Sequence, residues 1–161
     1  MKNAKDTFYV TLRDRLAIVN PDRTFVMRGL VRPGIMVAEN EMVTAEVPPD
    51  VFILRWTEVQ VDTQQAMPVA VMRCEIQYFT DGNSDNAGMD RGRALTAMDT
   101  ELLKMLTPQA AAKMNYGTMP ASVMQSSIFW GDAVFESVVV NAERVGRIAR
   151  VDVTSYEEPG E

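Results

Sequence analysis

The sequence predicts an α+β fold, a mainly antiparallel sheet with two helices packed on one of its faces. Three observations predict it. Two segments carry an apolar stripe at helical spacing, at residues 4–19 and 90–106. The stretch "MPVAVMRCEIQYFT" alternates strictly between apolar and polar positions. The elements run helix, strands, helix, strands, the order of α+β chains whose sheet is antiparallel.

The first helix rests on Phe8, Leu12, Leu16 and Val19, which recur at steps of four and three and share one face. Asn20-Pro21 ends it, because the residue before a proline avoids the α region. "RTFVMRGLVRPG" reads as one strand, with Gly29 as a bulge and Pro33-Gly34 as a turn. "IMVAENEMVTAEVPPD" reads as a short strand and then an acidic, proline-ended connection.

Residues 51–63 and 67–80 form the clearest strand pair. In the second, Ala70, Met72, Cys74, Ile76 and Tyr78 share a face opposite Val71, Arg73, Glu75 and Gln77. In the first, Phe52, Leu54 and Trp56 share a face, and the phase slips before Val59 and Val61, as at a bulge. The intervening "QQAM" suits a hairpin. "TDGNSDNAG" is loop by composition, with Asp90 as N-cap of a helix running to about Leu106. Leu95, Met98, Leu102 and Met105 form its stripe, and Gly92 weakens its first turn by about 1 kcal/mol.

Residues 107–133 are rich in methionine and alanine without a sustained period, so they read as a long irregular segment kept for function or an interface. "VFESVVVN" and "RVGRIARVDVTSYEE" read as two closing strands around "NAER", with Val151 and Val153 facing one way and Arg150, Asp152 and Thr154 the other. The whole of 1–161 is one domain, with an end expected to be mobile after about 156. A domain of this size buries roughly two-thirds of the surface its unfolded chain exposes.

Composition narrows the chemistry. The chain has 161 residues, one cysteine, no histidine and a net charge of -6. Without histidine, Ser-His-Asp and Cys-His catalysis cannot operate. Cys74 reads as a small buried hydrophobe in a strand. The acidic balance argues against a grip on nucleic acid, which needs clustered Lys and Arg. No run is long and apolar enough to span a bilayer, and no membrane partner is expected. "GMDRGR" lacks the glycine spacing of a dinucleotide loop and is not a Walker sequence. "DGNSDNAGMD" lacks the closing glutamate of an EF-hand. Glu39, Glu41 and Glu46 form an acidic run read as a solvated or interface loop. No catalytic residue, cofactor or metal site is assigned.

What remains are contact candidates. Gly82, Asn83, Ser84 and Asp85 sit on a glycine-bounded polar loop. Arg91 and Arg93 lie near a helix N-terminus, where cations need partners. Methionines at 36, 42, 114, 119 and 124 fall in expected loops. Of these Met119 and Met124, with Phe129 and Trp130, are the apolar contact candidates, since methionine adapts to irregular interfaces. Together these features favour an oligomer.

The element order, with "ILRWTEVQVD", "MRCEIQYFTDG" and "GMDRGRALTAMDTELLKML", resembles the tail-terminator and tail-completion proteins of long-tailed phages and related prophage particles. The resemblance spans about residues 4–155 and implies architecture and role, with no catalytic residue. It implies a structural virion protein at the tail–neck junction, made in the host cytoplasm. Such proteins form a ring, typically hexameric, that stops tail-tube polymerisation and joins the tail to the neck or connector protein. DNA would pass through the lumen without specific binding. The acidic Glu39–Glu46 loop and the Met-rich segment depart from the family pattern. Two alternatives stay open: a neck or head-completion protein of the same kind of particle, and a small carboxylate-dependent enzyme or ligand-binding domain.

Overall fold

The computed structural model describes residues 1–41, 48–64, 66–141 and 143–158, and for residue 41 the backbone alone. Helix α1 (Lys2–Val19) buries Ala4, Thr7, Phe8, Leu12 and Leu16. Strands β1 (Thr24–Met27) and β2 (Leu30–Pro33) form a two-stranded sheet of their own. β3 (Ile35–Val37) leads into the short α2 (Ala38–Glu41), then β4 (Phe52–Asp62) and β5 (Val69–Thr80). A 3₁₀ turn (Ser84–Asn86) precedes α3 (Arg91–Met105). β6 (Gln109–Asn115), β7 (Ser122–Trp130), β8 (Val134–Phe135), β9 (Val139–Asn141) and β10 (Arg144–Tyr156) complete the described chain.

Among the described residues the main sheet runs β3-β4-β5-β10-β7-β6, with β8 and β9 also pairing with β10. Only β3 and β4 are parallel; the other pairs are antiparallel. β3 and β6 stand at opposite ends of that order, yet α1 touches both. The sheet therefore curls around α1. Thr7 fastens one limb: its hydroxyl accepts from the Met114 amide at 2.9 Å and donates to the Asn3 carbonyl at 2.7 Å. A donor on the edge of β6 is thus satisfied by the helix, one way of closing a strand edge.

Helix α3 lies on the same face. Leu95, Met98, Leu102 and Met105 are all buried and join α1 and the inward side chains of β5 and β10 in one core. Arg15 of α1 donates to the Met105 carbonyl at the end of α3 and to the Thr107 carbonyl just beyond it, and lies over the Trp130 ring at 5.3 Å. A cation at a helix C-terminus satisfies carbonyls that lack intrahelical partners. β5 follows the predicted alternation along its full length. The phase slip in β4 is a register shift between Trp56 and Glu58.

Three strand assignments are corrected. "RTFVMRGLVRPG" is a hairpin rather than one strand with a bulge at Gly29. Arg28 and Gly29 both have positive φ, at 50° and 79°, and reverse the chain in two residues. Residues 107–133 are not a long irregular segment; most of them pair as β6 and β7. Their inward positions include Ala111 and the buried Lys113, so no apolar period marks the strand. "VFESVVVN" splits into β8 and β9, with the Glu136 amide donating to Ile148 between them. At the end of the chain, Glu157 donates its amide to Pro68 and Glu158 accepts from Ser126, so both are held past 156. Residues 159–161 lie outside the described residues.

Candidate interaction surfaces

The loop between β5 and α3 is built by its own bonds. The Gly82 amide donates to the Thr80 hydroxyl at 3.0 Å, and the Asn83 amide to the Asp90 carboxylate at 2.9 Å. The Asn83 side chain accepts from Asp85, and its carbonyl from Asn86 and Gly88. Asp90 does precede α3, but its carboxylate caps the loop and makes no side-chain cap bond to the helix. The Asn83 bond, helped by Asn86 and the charge of Arg93, holds the Asp90 carboxyl below the usual carboxylate range.

Gly82 and Gly88 have φ of 73° and 72°, and Arg91 lies against both. A Cβ on Gly88 would come within 2.5 Å of the Arg91 guanidinium. Arg91 also donates from Nε to the Asp81 carbonyl at 3.2 Å. Arg91 therefore braces the loop within its own chain and is half-buried there. Arg93 stays exposed on the first turn of α3. Asn83, Ser84 and Asp85 are exposed, and so is Met89 at 89%, a residue the sequence reading passed over.

The other candidates part company. Met119 is fully exposed in the β6–β7 turn and Phe129 is 43% exposed on β7. Met124 is half-buried. Trp130 is a core residue, 5% exposed and edge-on to Phe8 at 5.3 Å, which overturns its place among surface contacts. Its direction could not be read because β7 was not recognised as a strand. Met36 is buried, Met114 half-buried, and Met42 lies outside the described residues. Phe129 pairs with Thr154 of β10, while the loop is tied to the other end of β10 by an Asp81–Arg144 ion pair. Ten residues of strand put the two groups about 30 Å apart. The structure does not join them into one patch.

Glu39 of the acidic run accepts from the Trp56 amide at 3.0 Å. It lines a groove of about 650 Å³ with Lys2, Lys5, Asp6 and Trp56. Glu41 ends α2, and Glu46 lies outside the described residues. Cys74 is fully buried, and burial pushes its thiol up, away from the thiolate a nucleophile needs.

Two charge clusters went unread. Asp99 of α3 accepts from the Tyr78 hydroxyl at 2.5 Å and pairs with Arg147 at 3.2 Å. Burial, then Asp99, pushes the Tyr78 hydroxyl up, so it stays a donor that ties α3 to the sheet. On the outer face of the sheet, Arg73 bridges Glu58 at 2.7 Å and Asp152 at 2.9 Å, and Arg150 bridges Glu75 and Glu136. These ladders depend on cross-strand register, which one strand's alternation does not reveal. Among the described residues, no group of three or more His, Cys, Asp or Glu is placed to hold a metal ion. No helix among them is long and apolar enough to cross a membrane. No protein-family model matches the chain, and comparison with curated proteins returns no significant match.

Proposed function

We propose that the protein is a structural component of a phage-like particle that forms a ring on the end of the tail tube. The ring stops tube polymerisation and gives the neck or connector a surface to join. The observation that carries this reading is the loop between β5 and α3. The polar backbone of residues 81–90 is held in one shape by Asp90, Arg91 and two positive-φ glycines. That shape presents Ser84, Asp85 and Met89 outward. A preformed loop binds a neighbour without first losing conformational freedom. The curled antiparallel sheet with both helices inside it agrees with the architecture that the family resemblance implies. An acidic chain suits a lumen past which DNA slides, since like charge opposes sticking.

Particles assembled without this protein should carry tails of uncontrolled, increased length that do not join heads. Electron microscopy of lysates measures this directly. Tails of normal length that fail only at the head would move the protein to the neck. Tails of normal length on complete particles would refute both roles.

A further inference from the structure

Two surface strips of this chain are complementary in chemistry and sit on opposite flanks of the same sheet. The first is the β1–β2 hairpin. Val26 and Val31 face each other across its strands and are both 70% exposed, and Leu30 is 68% exposed. Between residues 24 and 34 the only charged side chains are Arg28 and Arg32. Arg28 is exposed at the tip and makes no ion pair with a described residue. An isolated two-stranded hairpin is marginal in water, and no described residue of its own chain covers this apolar face.

The second strip runs from 131 to 143, through β8 and β9. Val138, Val139 and Val140 are 45%, 58% and 71% exposed. Its charged residues are Asp132, Glu136 and Glu143, with no Lys or Arg. Glu136 is held by Arg150, but Asp132 and Glu143 are exposed and make no ion pair with a described residue. β9 pairs with β10 alone, so its far edge is open among the described residues.

Position joins the two. The Gly34 amide bonds back to Arg23 at the hairpin base, and the Phe52 amide to Gly34. The Asp50 amide bonds to Phe79, Phe79 pairs with Gly146, and Gly146 pairs with Val139. The hairpin base and β9 thus end one line drawn across the sheet, roughly 20 Å apart at the strand spacing. A closed ring requires two unlike patches at one height on opposite sides of the protomer.

We infer that the β1–β2 hairpin of one protomer docks on the 131–143 strip of a second copy, burying valine against valine and setting Arg28 beside Asp132 and Glu143. The inference rests on the ring reading and names the ring's contact. Close opposite charges at an interface steer pairing and reject the wrong partner.

The test is a charge exchange read by sedimentation velocity. Arg28→Glu makes one variant, and Asp132→Arg with Glu143→Arg makes the other. All three positions are exposed, so circular dichroism should match wild type. Each variant alone should self-associate at least about tenfold more weakly than wild type. An equimolar mixture should recover the wild-type ring, because every contact then joins opposite charges. Recovery on mixing requires that these two strips meet, and recovery of the ring mass in place of a dimer makes the contact head-to-tail. If wild type forms rings and both variants do so equally, or if mixing restores nothing, this contact is wrong and the ring reading stands. If wild type remains monomeric at every concentration, even mixed with its tube protein, the ring reading falls and takes the contact with it.

Discussion

Phe8→Ala should lower the stability of the fold by about 3–5 kcal/mol, the loss expected when a large buried ring leaves a cavity. Phe8 is fully buried. Its ring is edge-on to Trp56 at 5.8 Å and to Trp130 at 5.3 Å. Trp56 belongs to β4 and Trp130 to β7, near the two limbs of the curled sheet. One side chain of α1 thus fills the space where the limbs face each other, and neither tryptophan can move inward without breaking a strand ladder. The predicted loss is a large share of the ~5–15 kcal/mol that holds a typical domain folded. Urea denaturation measures it through the midpoint at constant slope. Ile18→Ala, on the same helix at an 83% exposed position, should change stability by less than about 0.5 kcal/mol. Equal effects of the two changes would contradict the placement of α1 inside the sheet.

Lys113→Ala should cost about 3 kcal/mol, although lysine to alanine on a strand surface is usually mild. Lys113 is fully buried in the limb formed by β6 and β7. Its ammonium donates to the Tyr156 carbonyl and to the Ser155 hydroxyl at 3.3 Å, and it lies 3.9 Å from the Glu158 carboxylate. Truncation empties a fully buried site, removes one donor to the Tyr156 carbonyl and takes the Lys113 charge away from the carboxylate. Glu158 also accepts from the Ser126 hydroxyl and amide and from the Gln125 amide. These bonds, the Ser126 hydroxyl first, hold its carboxyl below the usual range. A depressed carboxyl stabilises the fold above its ordinary pKa, and that contribution is lost as pH falls through the folded value. The gap between wild type and Lys113→Ala should therefore narrow in acid without closing, since the bond to Tyr156 does not titrate. Melting temperatures from pH 7 down to about 3 check this.

The elements legible in the sequence were those with one face in the core and one in water. β5 alternates because Ala70, Met72 and Cys74 meet the helices while Arg73 and Glu75 meet solvent. α3 shows its stripe for the same reason. β6 was illegible because Lys113 occupies an inward position and residues 110–112 before it are all alanine. An inward lysine became possible only because Tyr156 and Glu158, some forty residues later, supply its acceptors. The β1–β2 turn was missed because an Arg-Gly pair carries the positive φ more often assigned to Asn-Gly. Of the contact candidates, Asn83, Ser84, Asp85, Arg93 and Met119 are exposed as a contact would require, and Phe129 partly so. Arg91 and Met124 are half-buried and Trp130 is in the core, since a side chain's direction depends on what the fold places beside it. The acidic strip beside β9 was read only as strand, because its exposure follows from being the end of a sheet.

The central claim, that this protein caps a tail tube as a ring, is tested most directly by its mass in solution, alone and mixed with its tube protein. The account predicts a species at a whole-number multiple of 18.0 kDa that images as a closed ring and sits on tube ends. A protein that remains at 18.0 kDa even in the presence of the tube would contradict it.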